Sequence, residues 1–373
     1  MKLYYIAHAR IPTEKAHGVH IMKMCEAFAG EGNDVTLLVP KRKNEITENP
    51  FAYYGVEEKF AIKYVPMLDL VGNPLFYWIS QLSFSLSLLF QKIEDGDNVA
   101  VFSRDIFSAF LLSFRNRRVF FDIHGFPEQS VWFWKYVLGR MKGVVLTNKQ
   151  KLERAKTILK IPEDKLLVHP NGYDPKLFDI KKNKDELRKE LGLPDGTIAM
   201  YTGHLYSWKG ATVFAESARF LPNVSFIFVG GTSPKIKAFK NKYQDSNIHF
   251  LGHKPFHEVP KYLKAADVLV LPNSGKSFGR RTTHSLYDTS PIKMFEYMAS
   301  GVPIVASRLP SIEEVLNEKN AILVEPDNSK NLAAGIERVL DYPSRATQAI
   351  KDVEGFTWQN RARTILLFIS KRS

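Results

Sequence analysis

The chain has 373 residues, 45% of them hydrophobic and 24% charged, with a formal net charge of +13 and a single cysteine, Cys25. That length suits two domains, the composition is that of an ordinary globular protein, and one cysteine excludes an internal disulfide and any cysteine-rich metal cluster. A basic excess points to nucleic acid, an anionic membrane or phosphorylated ligands; no nucleic-acid motif is present, so the last two remain.

Lys2–Ala7 reads as a first strand with no apolar leader segment before it. A loop, Arg10–Gly18, precedes a helix from about Val19 to Ala29 and a second strand, Asp34–Val39, a Rossmann-type opening. The loop holds Gly18 flanked by His17 and His20 in place of a full glycine fingerprint. Lys41–Gly55 is polar and irregular and is expected as a loop. Phe60–Val65 is a third strand, and the uncharged run Leu75–Phe90 is expected as a buried crossover helix, too short for a bilayer span. Asp95-Gly96-Asp97 precedes strand Val99–Ser103 and reads as a turn, so no catalytic metal is expected. Arg104 and Asp105 end that strand at the sheet edge where α/β proteins place ligands. Strand Val119–Ile123 delivers His124 to the same edge, where an imidazole can orient a hydroxyl or stabilise a developing anion. Val144–Thr147 and Leu166–His169 are the last strands of this half.

The second half alternates more cleanly. Strand Thr197–Thr202 runs into the loop Gly203-His204-Leu205-Tyr206-Ser207-Trp208-Lys209-Gly210, then a helix to Arg219. Strands Val224–Val229, Asn247–Leu251 and Asp267–Leu271 follow, the middle one ending in Gly252-His253-Lys254-Pro255. Gly275-Lys276-Ser277 lacks the first glycine of a phosphate loop, since Val270 stands there. Arg280 and Arg281 read as a solvated or acceptor-facing pair. From Ser290 the chain spells a helix: Ser290 as N-cap, Pro291 at the first position, Met294, Phe295, Met298 and Ala299 at helical spacing, Gly301 as stop. Its free amides at Ser290, Ile292 and Lys293 form an anion cradle. Asp288 lies just before the cradle and Glu296 eight positions on. A pyrophosphate carrying a sugar at each end needs that combination: amides for the phosphates, carboxylates for the flanking hydroxyls. Ser311–Glu314 spells a capping box, and a terminal helix covers Asn360–Ile369.

The Asp288–Glu296 spacing resembles the acidic-x7-acidic motif of glycosyltransferase family 4, with Asp288 where that family most often has Glu. The loop His204–Gly210 resembles its G-R-L-x-x-x-K-G segment, with His204 in the arginine position, and Pro170-Asn171-Gly172-Tyr173-Asp174 its P-N-G-x-D junction. Residues 16–29 look like its first loop and helix. The resemblance spans nearly the whole chain. It implies an α/β protein of the GT-B fold, two Rossmann-like domains facing each other across a cleft. The first would be residues 1–175 plus a returning helix, 357–373, and bind the acceptor; the second, 176–356, would bind the nucleotide sugar. It implies a retaining transfer from a UDP- or GDP-linked sugar, as substrate, to a hydroxyl of a glycan or lipid-linked acceptor, with no cofactor and no metal. By the same resemblance His124, Lys209 and Asp288 are catalytic. Lys209 and His204 meet the diphosphate with the amides of Ser290, Ile292 and Lys293; Glu296 holds the ribose; and Gly18 and Lys254 line the donor site. Two other readings stay open: a non-hydrolysing nucleotide-sugar epimerase, and a non-catalytic sugar-nucleotide-binding subunit.

Val131–Leu138, V-W-F-W-K-Y-V-L, sets aromatics beside cations and is followed by Arg140 and Lys142. That is the composition of an interfacial helix. With Lys41, Arg42 and Lys43, and Arg115, Arg117 and Arg118, it suggests a cytoplasmic enzyme peripheral at an anionic inner membrane face.

Overall fold

The computed structural model describes residues 1–70, 76–115, 118–276 and 284–372. Arg117, Ser277, Arg280 and Arg281 lie outside them. The chain divides into two compact domains, Met1–Pro170 with Trp358–Ser373, and Asn171–Thr357.

The first domain runs β1 (Lys2–Ile6), α1 (Ala16–Gly30), β2 (Asp34–Pro40), α2 (Pro50–Tyr54), β3 (Ala61–Val65), α3 (Tyr77–Leu88), β4 (Val99–Ser103), α4 (Ile106–Ser113), β5 (Val119–Ile123), α5 (Val131–Arg140), β6 (Gly143–Leu146), α6 (Lys149–Thr157) and β7 (Leu166–Val168). The strands form a seven-stranded parallel sheet in the order β3-β2-β1-β4-β5-β6-β7. The reversal of direction at β1 and β4 makes the sheet edge there the natural place for a ligand. Central strands such as β5 and β6 are buried throughout, which is why they read as unbroken apolar runs.

The second domain contains α7 (Lys184–Leu191), β8 (Thr197–Thr202), α8 (Ala211–Ser217), β9 (Val224–Val229), α9 (Ser233–Lys242), β10 (Ile248–Gly252), α10 (Val259–Ala265), β11 (Val268–Leu271), α11 (Ile292–Ser300), β12 (Ile304–Ser307), α12 (Pro310–Glu313), β13 (Ile322–Val324), α13 (Ser329–Leu340) and α14 (Ser344–Val353). Its parallel sheet has the order β10-β9-β8-β11-β12-β13. The last helix, α15 (Trp358–Ser370), belongs to the first domain and packs on α1.

Four local expectations are corrected. Helix α1 starts at Ala16, so His17 and Gly18 are helical and not in a loop. A Cβ on Gly18 would stand 2.1 Å from the Tyr54 hydroxyl, so glycine here permits a close packing contact. The polar stretch before Gly55 contains α2, anchored by Tyr54, whose hydroxyl accepts from Thr13 N (2.6 Å) and donates to Thr13 O (2.8 Å). Helix α3 is only half buried: Phe84, Ser85 and Leu88 face the sheet, while Trp78, Ile79, Leu82 and Leu86 are exposed. Ser311 does not cap α12; its hydroxyl bonds that of Thr289 at 3.0 Å.

Candidate active site

In the second domain the loop after β8 is fixed by backbone before any side chain acts. Gly203 N donates to Val229 O (2.8 Å) and Gly230 N to Gly252 O (2.7 Å), joining the loops that follow β8, β9 and β10. Gly210 has φ +72°, and a Cβ there would stand 1.6 Å from Pro272 O. Only glycine lets the chain pass Pro272 and start α8. That turn holds Lys209, whose Nζ folds back to within 3.9 Å of the point where a side chain on Gly203 would begin.

A second ammonium group arrives from α11. Lys293 Nζ lies 3.3 Å from Thr202 O, which accepts its hydrogen bond, and 4.0 Å from the centre of the Tyr201 ring. Burial pulls the Lys209 ammonium down to about 8. Burial, and then the positive charge of Lys209, holds Lys293 well below the ordinary lysine range, with Glu296 opposing. The Glu296 carboxyl, itself 7% exposed, is pushed up to about 7 by burial and drawn back by Lys293. Two half-buried lysines whose charges oppose each other share this edge with one buried acid, Glu296. Such an arrangement is costly unless an anion completes it.

The start of α11 adds donors. The helix begins at Ile292, one residue later than expected, with extended Pro291 before it and no side-chain cap. Ser290 is not the cap: its hydroxyl accepts from Asn171 N (3.2 Å) and its carbonyl from Asn171 Nδ2 (2.6 Å). Asn171 thus pins the chain ahead of the helix, and the amides of Ile292 and Lys293 head its first turn without intrahelical partners. Asp288 is buried, at the end of the turn His284–Asp288. The His204 ring stacks on Tyr206, centroids 5.1 Å apart. Lys254 lies beyond Gly252 over the Tyr262 ring at 5.5 Å. The structure therefore brings together Lys209, Lys293 and Glu296, while His204 and Lys254 sit on neighbouring loops of the same sheet edge.

The side chain of Lys293 is the participant that sequence reasoning missed, having counted its amide alone. The first domain holds another missed group. His124 follows β5, and its Nε2 lies 2.8 Å from Asp122 Oδ2. Arg361 of α15 donates to Asp122 Oδ1 (3.0 Å) and to the carbonyls of His169 and Pro170; both side chains of this pair are fully buried. Arg104 lies 3.1 Å from His20 Nδ1, and since a guanidinium only donates, His20 carries its proton on Nε2. That Nε2 faces Asp122 at 3.9 Å. Burial works against ionisation of Asp122, but the hydrogen bond from His124 and the Arg361 guanidinium outweigh it and hold the carboxyl well below its usual range. Burial, reinforced by Arg104, takes His124 down to about 3, so the ring is neutral. With Nε2–H committed to Asp122, His124 offers Nδ1 as an acceptor: it can orient a hydroxyl, and it presents no cation.

His20, Asp122 and His124 are, among the described residues, the one such group close enough to share a metal ion, their ligand atoms lying within 4.8 Å. Guanidinium groups already bonded to His20 and Asp122 make this a hydrogen-bonded relay in preference to a cation site. Asp105 is also reassigned. Its carboxylate caps α4 at Ser108 N (2.7 Å) and accepts from Gln81 Nε2 (2.5 Å) inside the helix layer. The signals were present: an acid in the buried strand V-F-F-D-I, and an arginine within the apolar spacing Trp358, Ala362, Ile365.

Residues 196–342 match a protein-family model described as glycosyl transferases group 1. The chain is 30% identical over 236 residues to an uncharacterized glycosyltransferase of Methanocaldococcus jannaschii, covering 59% of this chain and 57% of that protein. It is 29% identical over 191 residues to the UDP-Gal:alpha-D-GlcNAc-diphosphoundecaprenol alpha-1,3-galactosyltransferase of Escherichia coli, 48% of this chain and 46% of that one. The chain thus spans about half the length of the curated relatives it matches. Among solved structures, sucrose-phosphate synthase from Thermosynechococcus elongatus superposes with a TM-score of 0.78 at 18% identity, over 99% of this chain and 98% of that one. Anabaena HepE in complex with UDP gives 0.75 at 16%, covering all of both chains. These structural likenesses establish the fold, the two Rossmann-like domains of the GT-B type.

Proposed function

We propose, from the match of residues 196–342 to the group 1 glycosyltransferase model, that this protein transfers a hexosyl unit from a nucleoside-diphosphate sugar, UDP- or GDP-linked, to a hydroxyl of a glycan or lipid-linked acceptor in the cytoplasm. The observation that carries the reading is the pair of half-buried lysines, Lys209 and Lys293, whose charges oppose each other beside the first-turn amides of α11. A diphosphate supplies the charge this arrangement lacks. Lys209, Lys293 and those amides would then take up the negative charge that grows on the departing β-phosphate, which is electrostatic stabilisation by groups already in place. Glu296 would accept the ribose hydroxyls, Asp288 would face the donor sugar, and Nδ1 of His124 would receive a sugar hydroxyl. Retention of the anomeric configuration rests on the likeness to family 4. Metal independence rests on the lysines standing where a dication would otherwise neutralise the phosphates.

Thermal shift with UDP, GDP and ADP, each against its nucleoside, tests this. The cognate diphosphate at 100 times its Kd should add about 2.7 kcal/mol. A nucleoside that stabilises as much as its diphosphate would refute the lysine assignment. Turnover of the donor only when an acceptor is supplied marks a transferase; turnover without one marks an epimerase, and none at all a binding subunit.

A further inference from the structure

Helices α3, α4 and α5 form a layer on one face of the first domain's sheet, α3 against α4 and α4 against α5. The outward side of this layer is apolar. Trp78 on α3 is 61% exposed, Trp132 on α5 is 75% exposed, and Phe90, just past α3, is 87% exposed. The rings form a chain across the layer: Trp78 to Phe107 at 5.5 Å, Phe107 to Phe133 at 5.4 Å, and Phe133 to Trp132 at 5.9 Å. An apolar surface continuous over three helices is an interaction site, whereas scattered exposed leucines are ordinary.

Charge identifies the occupant. Residues 77–92, 106–115 and 131–142 contain no acidic side chain and five basic ones: Lys92, Arg115, Lys135, Arg140 and Lys142. Two of these sit at the helix junctions. Arg115 donates to Leu89 O at 2.8 Å, and the Arg140 guanidinium lies 4.2 Å from the Phe114 ring while its Nε donates to Ser113 Oγ at 3.0 Å. Arg115 and Arg140 thus lie at the C-terminal ends of these helices, while Trp78, Phe107 and Trp132 lie in their first turns. Exposed aromatics and cations with no acid among them suit a bilayer surface, which offers anionic headgroups outside and acyl chains just within. Helix α3 has 12 residues, about 18 Å at 1.5 Å per residue, too short to cross a bilayer.

We infer that the α3–α4–α5 face is a docking surface for an anionic lipid bilayer, entered by Trp78, Ile79, Leu82 and Trp132 and held by Arg115 and Lys135. The surface belongs to the first domain and the lysines proposed for the donor to the second, and its test does not use catalysis. The full chain is mixed with vesicles of phosphatidylcholine alone or with 30% phosphatidylglycerol, at low and high salt, and bound protein is separated by flotation. Binding to the anionic vesicles is expected, weakening with salt. Arg115→Ala and Lys135→Ala should each reduce affinity roughly fivefold. Ile79→Glu with Leu82→Glu, both at exposed positions, should abolish it. Brominated lipid should quench tryptophan emission, and Trp78→Phe with Trp132→Phe should remove most of that quenching while keeping the binding. Folded protein that does not float with anionic vesicles overturns the inference. So does flotation without quenching, which would mean another basic surface. A dimer in light scattering that Ile79→Glu with Leu82→Glu dissociates would give this face to a second copy of the chain instead.

Discussion

At the scale of residues, the proposed donor site sets its own pH dependence. Lys209 has a folded value of about 8, below its ordinary 10.5, so its contribution to stability is present above 10.5 and lost as pH falls through 8. Glu296 is raised from 4.5 to about 7, so its contribution is present below 4.5 and lost as pH rises through 7. Between pH 7 and 8 both groups are in the forms that burial disfavours. A bound diphosphate reverses the lysine shifts, and UDP or GDP binding at pH 8 should take up protons. Calorimetry in two buffers of different ionisation enthalpy reads this directly; net release, or no exchange, would count against the lysine pair. Glu296→Ala should weaken nucleotide binding by roughly 2–4 kcal/mol, the worth of hydrogen bonds to a charged acceptor, with no loss of fold in circular dichroism. Unchanged nucleotide affinity would remove Glu296 from the ribose. For His124, nitrogen NMR at pH 5–8 should show Nε2 protonated and Nδ1 bare, and no titration across that range. That Lys209 and Glu296 come to one sheet edge was legible because short motifs fix their place. The Lys293 side chain was not, because its direction depends on α11 starting at Ile292, and that start is set by Asn171, 119 positions from Ser290.

At the scale of elements, buried parallel strands were the most readable, since both faces are covered and the run is apolar throughout. Helix faces were harder. The uncharged α3 spells a core helix, yet the sheet beneath has room for one side of it only, and nothing in its composition separates that side from the other. Helix α2 was hidden in a polar stretch because Tyr54 ties it to Thr13, 41 positions away. The turn at Gly210 offers the sharpest test of an element. Gly210→Ala would force a positive φ on alanine and drive Cβ into Pro272 O. Equilibrium denaturation should show a loss of about 2–4 kcal/mol, with nucleotide affinity falling as well because Lys209 precedes the turn. A variant of unchanged stability would mean that the loop is freer than its bonds to β9 imply.

At the scale of the whole molecule, the α/β alternation and the doubling of the Rossmann unit were plain in the sequence, because each strand–helix repeat carries its own punctuation. The relay around Asp122 was not, since it joins β5 to a helix more than two hundred residues later. The proposed chemistry asks for no metal. Transfer should persist in EDTA, and Lys209→Ala should lower kcat on the order of 10²–10³-fold. Loss in chelator with recovery in magnesium would return Asp95 and Asp97, or the cluster at His20, to consideration.

The first domain is built from both ends of the chain, with 187 residues of the second domain between them. Synthesis is vectorial, so β1–β7 emerge from the ribosome well before Arg361 does. At 5–20 residues per second the interval is roughly 10–40 s. Through it Asp122 lacks its guanidinium, and a buried carboxylate without its partner costs about 3–5 kcal/mol. The second domain, complete by Thr357, can close first. A nascent chain halted before Trp358 should therefore resist protease in its later half and be cut in its earlier half, the reverse of the order in which the two were made.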